Sequence, residues 1–78
     1  MPVEIRCFPS DDASFRAAVA RALMGLTEVR SEADLMQSAR RLLAPLRADY
    51  PVLAIRVPAS LARVDNRLVL YVFRDGRL

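Results

Sequence analysis

Residues 67–74 read RLVLYVFR, from Arg67 to Arg74, and this stretch decides the fold. Leu68, Leu70 and Val72 alternate with Val69, Tyr71 and Phe73, the two-residue period of a β-strand. Both sets are apolar, so neither side of the strand is suited to water, and a strand of this kind needs cover on both faces. Asp75 and Gly76 follow as a turn.

Working back from that strand, residues 59–66 carry Ser60, Asp65 and Asn66 and are too long for a tight hairpin, so they read as a surface loop, with a helical turn expected at residues 60–63. Before the loop, residues 52–57 are rich in branched aliphatics and predict a second strand ended by Pro58. Further back, Leu35, Ala39, Leu42, Leu43, Leu46 and Tyr50 recur at helical spacing and trace one apolar arc. Ser31, with Asp34 three positions on, resembles a capping box at the start of that helix. Pro45 lies inside the pattern, where it removes a backbone hydrogen bond and crowds the carbonyl four residues earlier. Because the arc continues in phase through Leu46, the spacing predicts one helix kinked near Arg41 in preference to a stop near Ala44.

Nearer the beginning, Ser10, Asp11 and Asp12 supply candidate N-cap oxygens before an alanine-rich run. Phe15, Val19, Ala22, Leu23 and Leu26 share one side of a helix expected to reach about Met24, with Gly25 as terminator. Residues 2–8 alternate Val3, Ile5 and Cys7 with Glu4, Arg6 and Phe8, a strand with one buried face that Pro9 ends. The order strand, helix, helix, strand, strand predicts a single α+β domain over residues 1–78, two layers deep, in which two helices cover one face of a small antiparallel or mixed sheet. Periodicity leaves the strand order open.

Composition narrows the chemistry. All twelve basic residues are arginine, histidine and lysine are absent, and the one cysteine is Cys7. Without histidine, Ser–His–Asp and Cys–His pairs cannot form within the chain, and one thiol with scattered carboxylates makes a poor metal site. Neither a cofactor nor a metal is expected. The two glycines, Gly25 and Gly76, are too far apart to form a phosphate loop. Asp11 and Asp12 read as helix-start residues, and Asp49, Asp65 and Asp75 as turn residues, so no carboxylate pair is expected to do acid–base work. Cys7 reads as a packed thiol. These features point away from an enzyme. No apolar run is long enough to span a membrane and the N-terminal residues lack a secretory pattern, from which a cytoplasmic location is expected.

Surface for binding remains. The last strand, apolar on both faces, predicts a homodimer or a tight heteromeric protein partner at Val69, Tyr71 and Phe73. A second candidate docking face is the side of the first helix opposite Phe15, where Ala13, Ala17, Ala20 and Met24 cluster; small side chains admit another helix, although alanine is also simply a good helix former. The leading expectation is therefore a small non-enzymatic interaction or regulatory module. The alternative is nucleic-acid binding, with Arg40, Arg47, Arg56 and Arg67 on phosphates and the Tyr71 and Phe73 side of the sheet stacking unpaired bases. The net charge of +3 permits nucleic acid without demanding it.

The ending LVLYVFRDG, Leu68 to Gly76, after a pair of helices, loosely resembles the small bacterial toxins of the RelE and ParE group, which place two helices before an antiparallel sheet. That resemblance implies messenger cleavage on the ribosome or gyrase poisoning, with an antitoxin as partner. The chain departs from the group in ending soon after this strand, where those toxins add a further strand and a basic tail, so no catalytic residue is carried over.

Overall fold

The computed structural model describes residues 2–58 and 67–76. The loop predicted between the last two strands, with its helical turn, lies outside the described residues. Three strands, β1 (Val3–Phe8), β2 (Ala54–Arg56) and β3 (Leu68–Phe73), and two helices, α1 (Ala13–Ala22) and α2 (Glu32–Leu43), follow one another as β1, α1, α2, β2, β3. The fold is α+β, with a small mixed sheet.

β3 occupies the centre of the sheet, between β1 and β2. It runs parallel to β1, with Ile5 opposite Leu70 and Arg6 opposite Tyr71, and antiparallel to β2, with Arg56 opposite Tyr71 and Ala54 opposite Phe73. The central place suits a strand apolar on both faces, because the helices cover one face and side chains from the neighbouring strands, such as Phe8 on Phe73, flank its residues on the other. Leu68, Leu70 and Val72 point toward the helices and are fully buried with Phe15, Val19, Leu35 and Ala39. Val3, Ile5 and Cys7 of β1, and Ile55 of β2, pack against the same core. Alternation then places Glu4, Arg6, Phe8, Val69, Tyr71, Phe73, Ala54 and Arg56 on the opposite face.

Each helix starts where a short polar side chain replaces a missing backbone partner. Asp12 accepts from the Phe15 N–H at 3.0 Å, and Ser31 Oγ from the Asp34 N–H at 3.1 Å. Asp34 in turn accepts from the Arg30 N–H at 2.9 Å, one residue before the cap. α1 ends at Ala22, two residues short of the predicted Met24, and Leu23 closes it through the Val19 carbonyl at 3.0 Å. Gly25 does not take the left-handed backbone of a helix-ending glycine; only Gly76 has a positive φ among the described glycines.

Pro45 acts differently from the kink expected. α2 stops at Leu43, and residues Ala44–Ala48 form a 3-10 helix with the proline in its first turn. There the missing N–H has no intrahelical partner to lose, whereas an α-helical continuation would have crowded the Arg41 carbonyl. The apolar arc nevertheless persists, since Leu46 and Tyr50 still pack on the core and the Tyr50 ring meets Phe15 edge-on at 4.9 Å. β2 is shorter than the predicted 52–57, and Val52, given to it by the sequence, is exposed in the preceding turn.

Candidate functional site

Two surfaces gather the residues singled out by the sequence, one on each side of the molecule. On the sheet face away from the helices, Arg6, Tyr71 and Arg56 form a single row across all three strands. Next to it Phe8 stands opposite Phe73, with Ala54 beyond. The Phe8 ring stacks on Phe73 at 5.2 Å and 20° and meets Tyr71 edge-on at 5.2 Å. Tyr71 and Phe73 also meet edge-on, at 6.1 Å.

That packing corrects the expectation that the outer face of the last strand has no cover from its own chain. Val69 and Phe73 are only 5% and 6% exposed, and Tyr71 is the partly exposed member of the three. Phe8 supplies part of the cover. Its alternation with Glu4 and Arg6 was visible in the sequence, but nothing local said that β1 would lie beside β3.

Charge on this face is arranged around Glu4. Arg6 Nε donates to Glu4 Oε2 at 2.6 Å and Arg67 Nη1 lies 3.1 Å from Glu4 Oε1. The hydrogen bond from Arg6 and the nearby positive charges hold the Glu4 carboxyl below its ordinary range, so it is ionised at neutral pH. Arg56 is exposed and makes no ion pair with any described residue. Of the four arginines expected to contact phosphates, only Arg56 and Arg67 reach this face. Arg40, on α2, and Arg47, in the 3-10 helix, are exposed on the helical layer. Arg6, which the sequence reading omitted, joins Tyr71 in their place.

The second surface lies where α1 overhangs β1. Ala13, Ala17 and Ala20 are exposed along a groove of about 410 Å³, with Ile5 and Cys7 on its other wall and Arg16 as its charged member. Met24, just past the helix, is 74% exposed. Burial raises the pKa of the Cys7 thiol, outweighing the opposing charge of Arg16, so at neutral pH the sulfur is a protonated packing group. Among the described residues no group of three or more histidines, cysteines or acids is placed to hold a metal ion. No helix among them is long and apolar enough to cross a membrane.

Fold and surfaces together define a small α+β domain with a mixed three-stranded sheet. In comparison with known proteins, no family model, no curated protein and no solved structure matches the chain. The antiparallel sheet that goes with the RelE and ParE resemblance is met only by the pair of β2 and β3, because β1 runs parallel.

Proposed function

We propose that this chain is a small non-enzymatic interaction module that self-associates through the alanine flank of α1. The observation that carries the reading is the groove between α1 and β1, lined by the exposed Ala13, Ala17 and Ala20, by the partly buried Ile5 and Cys7, and by Arg16. Alanines at Ala13, Ala17 and Ala20 set no bulk between this helix and another, so two backbones can approach to the short end of the usual ~8–10 Å helix separation. A flank of this kind fits its own copy across a two-fold axis, because each side offers the same shallow surface and accepts the other's. Met24 adds a flexible apolar chain at one end of the flank.

The sheet face is the weaker candidate for self-association. Val69 and Phe73 are already withdrawn from water, leaving little apolar area there for a second molecule to cover.

Sedimentation velocity over a concentration series tests the reading. The expected result is a dimer at tens of micromolar that Ala17→Glu converts to a folded monomer, because a buried, unpaired carboxylate in a close helix contact is strongly disfavoured. A native chain that remains monomeric throughout the series would count against it, as would a dimer unaffected by Ala17→Glu.

A further inference from the structure

We infer that the row Arg6, Tyr71 and Arg56 is a binding site for single-stranded nucleic acid, on the sheet face away from the helices. It adjoins the proposed dimer contact only at β1, where Arg6 and Phe8 border a depression with Ile5, Cys7 and Arg16. The three residues come from three strands and are brought into one line by register alone. Neighbouring strands lie about 4.8 Å apart, so the two arginine backbones stand roughly 10 Å apart with the tyrosine between them. Long side chains on either side of an aromatic ring suit a nucleotide whose base rests on the ring while the flanking phosphates meet the guanidinium groups.

The rings are also held in place. Tyr71 is fixed edge-on by both Phe8 and Phe73, and Phe73 is almost wholly buried beneath this layer. A fixed ring loses little freedom when a base stacks on it. Phe8, half-buried in the adjacent row, offers a second apolar surface beside the first.

Charge selects the occupant. Among the described residues of this face Arg6 and Arg67 both pair with Glu4, whereas Arg56 is exposed and makes no ion pair, so its charge is the one in excess. An anionic ligand complements that excess. A duplex does not meet the same requirement, since its base faces are already stacked on one another and only its phosphates could engage. A single strand presents both phosphate and free base.

Fluorescence anisotropy of the full chain with labelled oligo(U) and oligo(dT) of about ten nucleotides, and with a duplex of equal length, tests the site. Both single strands are expected to bind, more tightly than the duplex. Contact with two phosphates predicts that log K falls with log salt at a slope of roughly −1.4 between about 50 and 200 mM. Arg56→Gln, at an exposed position whose loss leaves the fold intact, should weaken binding several-fold and reduce that slope by roughly half. Tyr71→Leu should cost roughly tenfold, whereas Tyr71→Phe, which keeps the ring, should cost little. The double substitution Arg40→Gln with Arg47→Gln, on the helical layer, should leave affinity unchanged.

Absence of binding at low salt overturns the inference, as does equal affinity for the duplex. So does loss of affinity on the Arg40 and Arg47 substitutions while Arg56→Gln and Tyr71→Leu remain silent. Because Ala17→Glu alters only the α1 flank, its oligonucleotide affinity separates this site from the self-association reading: binding that survives in the monomer supports the site whatever the outcome for the dimer.

Discussion

Arg74 Nη1 donates to Asp12 Oδ2 at 2.6 Å, tying the residue that leaves the central strand to the residue that caps the first helix. The same guanidinium holds Asp75 through two further contacts, Nε to Oδ1 at 3.1 Å and Nη2 to Oδ2 at 2.9 Å. Asp12 therefore serves twice, with Oδ1 toward the Phe15 N–H and Oδ2 toward Arg74. Strand end and helix start are locked by one carboxylate.

Replacing Asp12 should separate the two roles. Asp12→Asn keeps an oxygen for the helix cap and loses the ion pair, while Asp12→Ala loses both. The expected order of destabilisation, read from urea midpoints, is Asp12→Ala greatest, Asp12→Asn intermediate and Asp11→Ala least. Equal effects of Asp11→Ala and Asp12→Ala would remove the special place given to Asp12.

Acid should destabilise the chain through the same groups. The backbone hydrogen bond from Phe15, then the hydrogen bond from Arg74, lower the Asp12 carboxyl below its ordinary value; Arg74 lowers Asp75, and Arg6 lowers Glu4. The unfolded chain therefore takes up protons first as pH falls. The stabilisation is fully present above the ordinary values of 3.8 and 4.5 and is lost as pH drops through the lower values of the folded state. Urea midpoints between neutral pH and strong acid should decline from that range downward, and Arg74→Gln should shallow the decline. A midpoint independent of pH below 4.5 would contradict the assignment.

Gly76 and Gly25 should differ sharply when replaced by alanine. Gly76 has φ of 67°, and a Cβ there would run into the Val52 carbonyl oxygen. Left-handed backbone alone costs an alanine roughly 1–2 kcal/mol, and the close contact adds to it. Gly25 has nothing within 4 Å of its would-be Cβ. Thermal melts should show a clear loss for Gly76→Ala and little change for Gly25→Ala.

Cys7 should react slowly with a disulfide reagent at neutral pH, because burial raises its thiol pKa and packing limits access. The rate should rise with alkalinity and jump on addition of denaturant. A native rate equal to the denatured rate would mean the thiol is not packed against α1 and the core.

The parts of the fold legible in the sequence were those written in local periodicity. Ser31 with Leu35, Ala39 and Leu43 announced α2, and Asp12 with Phe15 and Val19 announced α1, because cap and apolar stripe lie within a few turns of one another. Pro45 was read less well, since a helical stripe can continue through a 3-10 turn that breaks the α-helix beneath it. Strand order was not legible at all. Alternation assigns Arg6 and Tyr71 each to a face of its own strand, but adjacency between β1 and β3 is a tertiary choice that leaves no local mark. For that reason Arg56 and Tyr71 could be assigned only to a shared nucleic-acid surface, while Arg6 and Phe8, which complete the row and the aromatic cluster, were passed over.

The position of β3 has a consequence for how the chain is made. It follows every other described element in the sequence, yet it alone touches both β1 and β2 within the sheet. During synthesis, both flanking strands leave the ribosome before anything exists to join them, and Val3 must wait for Leu68. Contacts so distant along the chain slow folding, because a long loop must close before they return any stabilisation. A chain that stops before Leu68 lacks the strand with which both β1 and β2 pair, and so cannot assemble this sheet.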